Sequence, residues 1–149
     1  MAGFFPPAFG GRSTDIRCVL IYDRRMPMKV GIDLVSPDEV RRSVSAHGER
    51  YLRRVYTEEE LRDCGTQEQR LAARFAAKEA VMKALGRADE PLPWRSIGVR
   101  RDADGRPSLE LSGAAATLAD ERGVTELSVS LTHERQLAGA VVLVEIRGT

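Results

Sequence analysis

Aromatic side chains are scarce in this 149-residue sequence, at 5% of the total. A core built without them must rely on Val, Leu, Ile and Ala. Cysteine is scarcer still: Cys18 and Cys64 form no CxxC pair and sit in no Cys/His cluster at zinc spacing. In a chain of this size that argues against a disulfide framework or a structural zinc, and for two reduced thiols. No apolar run approaches the roughly 20 residues that a membrane helix needs. The opening MAGFFPPAFGG lacks the basic start and unbroken apolar stretch of a signal peptide. We therefore expect a cytoplasmic protein with no membrane contact. Charge of one sign is lacking too, since 23 Lys and Arg face 22 Asp and Glu for a net +1. That balance excludes a strongly basic nucleic-acid binder, though not a local basic patch. There is also no basic-aromatic sheet motif of the kind that RNA-binding α+β domains use, so no nucleic-acid partner is expected.

What is present is 42% hydrophobic and 30% charged residues, the make-up of an ordinary globular domain of a size for one core. The first 27 residues read differently from the rest. Phe4-Phe5-Pro6-Pro7 and Gly10-Gly11 favour loop, and only Cys18 to Tyr22 has the pattern of a short strand. Residues 1–27 are therefore expected to be an arm, either a real appendage or the product of an upstream start, with Met28 opening the domain proper at 28–149.

From there MKVGIDLV predicts a buried strand over Lys29 to Val35. Ser36 caps a helix with Pro37 in its first turn, running to about Val55 with a possible break at Gly48. Thr57 and Glu60 form a capping box for a short helix ending near Cys64-Gly65. Gln67 to Leu85 is the strongest helix, rich in Ala, Leu, Glu, Lys and Arg and stopped by Gly86. Ile97–Arg101 and Ser108–Leu111 predict a hairpin around Asp104-Gly105. A helix over Gly113–Arg122 follows, then strands over Glu126–Thr132 and Leu137–Glu145. The expected class is α+β: a single compact domain with a mainly antiparallel sheet packed on the long central helix.

Three residues on this framework are chemically odd. Asp33 interrupts an apolar strand, where an unpaired carboxylate is costly. It could be a structural hydrogen-bond acceptor or a ligand for a hard cation such as magnesium, which favours one or two carboxylates plus phosphate oxygens. On the central helix Leu71, Phe75, Met82 and Leu85 form the core stripe, and Glu79 and Lys83 lie four apart at its edge beside Ala72 and Ala76. Such a pair is ordinarily a solvated salt bridge. Lys78 falls within the apolar stripe, where a cation must snorkel or meet an anion. His133 sits where an alternating strand turns, a place where a lone histidine is more often unremarkable than catalytic, though it could donate a hydrogen bond to a phosphate.

These residues fall within recognisable text. Arg74-Phe75-Ala76-Ala77-Lys78-Glu79-Ala80-Val81-Met82-Lys83-Ala84-Leu85-Gly86 resembles the signature of holo-(acyl carrier protein) synthases, in the 4′-phosphopantetheinyl transferase superfamily. Gly31-Ile32-Asp33-Leu34-Val35, Gly105-Arg106-Pro107 and Ser128 to His133 resemble three further motifs of that family, in the same order. The resemblance runs from Val30 to about Val144. It implies transfer of 4′-phosphopantetheine from coenzyme A to a serine of an apo acyl carrier protein, releasing 3′,5′-ADP, in fatty-acid synthesis. It further implies that Asp33 and Glu79 hold Mg2+ and that Glu79, Lys83 and His133 are catalytic. Lys78, Lys83, Gly105, Arg106, Pro107 and His133 would contact the nucleotide, and the enzyme would be a homotrimer with coenzyme A at the subunit interface. Because acyl carrier proteins are acidic, Arg41, Arg42, Arg50 and Arg53 become candidates for carrier docking. A polyketide or peptide synthetase carrier, or a catalytically silent scaffold, are the alternatives; an intact Asp33, Glu79 and Lys83 set argues against the scaffold.

Overall fold

A computed structural model describes residues 27–87 and 89–148, so the strand expected at Cys18 to Tyr22 lies outside the described residues. Strand β1 (Met28–Val35) is followed by helices α1 (Pro37–His47), α2 (Glu49–Val55), α3 (Glu58–Cys64) and α4 (Glu68–Ala84). A 3-10 turn at Trp94–Ser96 leads into the hairpin β2 (Ile97–Arg101) and β3 (Pro107–Leu111). Helix α5 (Gly113–Glu121) precedes the long strands β4 (Val124–His133) and β5 (Ala138–Ile146). The α+β class is as the sequence predicts.

The single helix anticipated up to Val55 is two. Gly48 sits at φ 56°, a left-handed conformation that suits glycine, and its N–H closes α1 on the Val44 carbonyl. The turn separates the arginines of α1 from those of α2, so Arg42 and Arg53 are not related by one continuous helical repeat. Thr57 and Glu60 do form the reciprocal capping box, with Glu60 N–H donating to Thr57 Oγ1 and Thr57 N–H donating to the Glu60 carboxylate. Pro107 begins β3, where its missing N–H costs the ladder least.

The strands form two antiparallel sheets, one of order β1-β5-β4 and the β2-β3 hairpin. Helix α4 crosses the inner face of the larger sheet. It carries alanines at 72, 73, 76, 77, 80 and 84, all buried, which bring its backbone close to the strands. Gly31 completes that approach: a Cβ there would lie 1.8 Å from the Ala80 carbonyl oxygen. Val35, Ala140, Val142 and Val144 meet Leu71, Val81 and Met82 in the core, while Phe75 stacks on Trp94 at its edge with ring centroids 4.7 Å apart. Val30, Ile32, Leu34, Val141 and Leu143 instead stand on the opposite, uncovered face of the sheet.

Candidate active site

Two clusters of polar side chains flank α4. The first lies along β1, an edge strand whose inward positions are 29, 31, 33 and 35 by alternation. Lys83 Nζ donates to Asp33 Oδ1 at 2.7 Å and to the Ile32 carbonyl at 3.1 Å, so Lys83 pairs across to the strand rather than along its own helix with Glu79. Asp33 is mostly covered, with 17% of its side chain exposed. Burial raises the Glu79 pKa above the usual glutamate value, the charge of Asp33 raises it further, and Lys83 opposes the shift. Two carboxylates close enough to repel, beside one lysine already shared, make a site that favours an added hard cation with phosphate oxygens to finish its shell. Asp33 and Glu79 fit that role. Among the described residues no set of three or more His, Cys, Asp and Glu side chains gathers, so a metal here would need oxygens from substrate or water.

The second cluster opens beyond the other flank of α4. Arg70, Ala73, Arg74, Arg101, Gly105, Pro107, Leu131 and His133 line a cleft of about 150 Å³. Arg74 and Arg101 share the Asp63 carboxylate, and Arg70 donates to the Asp63 backbone carbonyl at 3.1 Å. Three guanidinium groups on one aspartate leave an excess of positive charge. Arg74 is 3% exposed and its Nε is buried without a partner, a donor in want of an acceptor. The arrangement suits a phosphate. Sequence reading placed Gly105, Pro107 and His133 here but missed Arg70, Arg74 and Arg101. The i,i+4 spacing of Arg70 and Arg74 was the available signal; Asp63 and Arg101, which complete the set, come from α3 and β2. Arg106 is exposed at the hairpin tip, where its N–H donates to Asp102, and its side chain does not line the cleft.

Lys78 requires a correction. It is 0% exposed, ion-paired to Glu60 at 2.9 Å, and donates also to the carbonyls of Trp94 and Ile97. Burial lowers its pKa while Glu60 opposes the shift. Every Nζ proton is committed inside the protein, so Lys78 ties α4 to α3 and β2 and has nothing left for a nucleotide.

Of the expected docking arginines, Arg41 pairs with Asp38 at 2.8 Å, Arg42 donates to the Asp38 carbonyl, and Arg53 pairs with Glu49 at 2.9 Å. Arg50 is exposed on the same short helix as Arg53. All four remain on the surface.

Most of the chain is similar to known proteins. The family model described as ACPS, 4′-phosphopantetheinyl transferase superfamily, matches residues 29–142. A holo-[acyl-carrier-protein] synthase of Herpetosiphon aurantiacus is 43% identical, covering 76% of this chain and 94% of the relative. That of Moorella thermoacetica is 44% identical, covering 79% and 94%. Among solved structures, the Mycobacterium tuberculosis acyl carrier protein synthase is 41% identical with a TM-score of 0.64, over 79% of this chain and 96% of that one. The Helicobacter pylori holo-[acyl-carrier-protein] synthase, solved in complex with coenzyme A, is 29% identical with a TM-score of 0.70, over 77% and 98%.

Proposed function

This chain belongs to the holo-[acyl-carrier-protein] synthase family within the 4′-phosphopantetheinyl transferase superfamily, and from that premise we propose how its own residues carry out the transfer. It moves 4′-phosphopantetheine from coenzyme A to a serine of an apo acyl carrier protein. The serine oxygen forms a bond to the pantetheine-side phosphorus, the phosphoanhydride breaks, and 3′,5′-ADP leaves. The observation that carries this reading is the joining of Asp33 on β1 to Lys83 on α4, with Glu79 one turn before it on the same helix.

Asp33 and Glu79 would hold Mg2+, which when bound supplies charge neutralisation on the pyrophosphate. Lys83 neutralises a phosphate oxygen and holds Asp33 in place. Such catalysis is mostly alignment and electrostatics. The serine proton passes to Glu79 or to water at the site. Arg70, Arg74, Arg101 and His133 form a seat for the nucleotide's 3′-phosphate, with Gly105 and Pro107 at its border.

The two clusters lie on opposite flanks of α4. Arg70 and Glu79 are nine residues apart, about 180° round the helix at ~100° per residue. A homotrimer that packs the uncovered apolar faces of its sheets would bring one subunit's Asp33–Glu79–Lys83 cluster to a neighbour's arginine cleft. That arrangement fits coenzyme A held between subunits. No described helix is long and apolar enough to cross a membrane; the use of coenzyme A and a carrier protein supports a cytoplasmic reaction in fatty-acid synthesis. We take residues 28–149 as the catalytic unit, with Pro27 already joined to it where its carbonyl accepts from Ile146 N–H.

Incubation with coenzyme A, magnesium and apo acyl carrier protein should add the mass of phosphopantetheine to the carrier. Asp33→Ala and Glu79→Ala should each abolish that gain, by about 10³-fold or more for loss of a charge-stabilising group, and weaken magnesium-dependent coenzyme A binding by calorimetry. Near-normal rates in either variant would remove it from the metal site, and no mass gain on any of several carriers would favour a silent scaffold.

A further inference from the structure

Beyond the reacting cluster, a second cleft continues from Lys83 toward the start of β1. It holds about 300 Å³ and is lined by Lys29, Lys83, Ala84, Leu85, Gly86, Arg122 and Ile146. Three cations from three separate elements converge on it, and no carboxylate lines it. Lys29 shares the inward face of β1 with Asp33 by alternation. Arg122 follows directly on α5, and its guanidinium lies 4.0 Å from where a Cβ on Gly86 would stand. Gly86, at φ 73°, thus leaves the floor low where the arginine passes over it. Lys83 already contacts Asp33, but no ion pair engages Lys29 or Arg122 among the described residues.

Unpaired cations around an open cleft call for an anion. In the proposed reading the pyrophosphate of coenzyme A sits at Asp33, Glu79 and Lys83, at the edge of this cleft, and the 3′-phosphate lies at the arginine cleft. The lining also offers no side-chain acceptor and no aromatic ring on which a nucleotide base could stack. What must still reach Lys83 is the carrier serine, and the carrier that brings it is acidic. We infer that Lys29 and Arg122 form a docking rim for acidic side chains of the carrier protein, on the side of the reacting cluster away from α1. The inference rests on the proposed transfer reaction. A carrier held there presents its serine toward Lys83, which lines both this cleft and the reacting cluster. Exposed rim charges of this kind act through steering and register.

The test compares steady-state kinetics of the full chain with the double variant Lys29→Glu/Arg122→Glu and its neutral counterpart Lys29→Gln/Arg122→Gln. The acceptor is an apo acyl carrier protein. Charge reversal should raise the apparent KM for the carrier by about tenfold, the neutral pair should raise it less, and KM for coenzyme A should stay within about twofold. The carrier KM of the unaltered protein should climb with salt more steeply than that of the reversed variant. Melting temperature and coenzyme A affinity report that the variants are folded. An unmoved carrier KM, or an equal rise for both substrates, overturns the rim. Failure of the unaltered protein to modify any carrier overturns the transferase reading and the rim with it, so the two failures are told apart.

Discussion

At the scale of single residues, Glu60 is the busiest carboxylate in the described chain. Its oxygens accept from Thr57 N–H at 2.8 Å, Lys78 Nζ at 2.9 Å and Val99 N–H at 3.0 Å, and the side chains of Glu60 and Lys78 are wholly covered. A buried pair of this kind contributes little relative to an apolar pair, yet removing one partner strands the other. Lys78→Met should therefore cost about 3–5 kcal/mol, read by urea denaturation. The double variant Lys78→Met/Glu60→Met should recover part of that loss, because no charge is then left buried alone. If the single and double variants lose stability equally, the ion pair is not the source of the cost. The sequence announced that Lys78 was out of place on an apolar stripe, but not why. Its partner lies 18 residues away on another helix, a distance that no helical periodicity reports.

Among elements, the contact of β1 with α4 decides whether the reacting cluster exists. Ala80 and Ala84 give α4 a flat side and Gly31 gives β1 a matching gap, so Lys83 can reach Asp33. A Cβ at position 31 would meet backbone atoms of Ala80 and Ala84, which cannot rotate aside. We expect Gly31→Ala to lower stability by about 1–3 kcal/mol or more. It should also weaken coenzyme A binding beyond what the lost stability explains, because it pushes Lys83 off Asp33. Thermal denaturation paired with calorimetry checks both, and an unchanged melting temperature would sink the close-approach argument. Much of this level was legible beforehand: the capping box, the central helix, both hairpins and the Glu79–Lys83 spacing carry local signals, whereas Asp33, 50 residues from Lys83, is tied to that pair in the sequence only by the family resemblance. The arginine cleft did not, because Asp63, Arg74 and Arg101 meet only once three elements fold together. Gly48 was readable as a possible break, and its left-handed backbone settles the matter.

On the scale of the whole molecule, Val30 at 64% exposure, Ile32 at 58% and Leu34 at 59% continue into Val141 and Leu143 across the neighbouring strand. A contiguous apolar face of this kind marks an interaction surface. If the proposed homotrimer packs on this face, a charge placed there should undo it without touching the reacting cluster. Leu143→Asp is expected to sediment as a monomer and to lose transfer activity while keeping Asp33, Glu79 and Lys83 in place. An active monomer would sever the link between assembly and catalysis. The opposite flanks occupied by the two clusters then have a genetic consequence. If each complete site draws one cluster from each of two neighbours, a subunit damaged at Asp33 and another damaged at Arg74 are not equivalent losses. In the proposed trimer neither variant transfers alone, but assemblies mixed from both contain some seams where an intact half meets an intact half, and part of the activity returns.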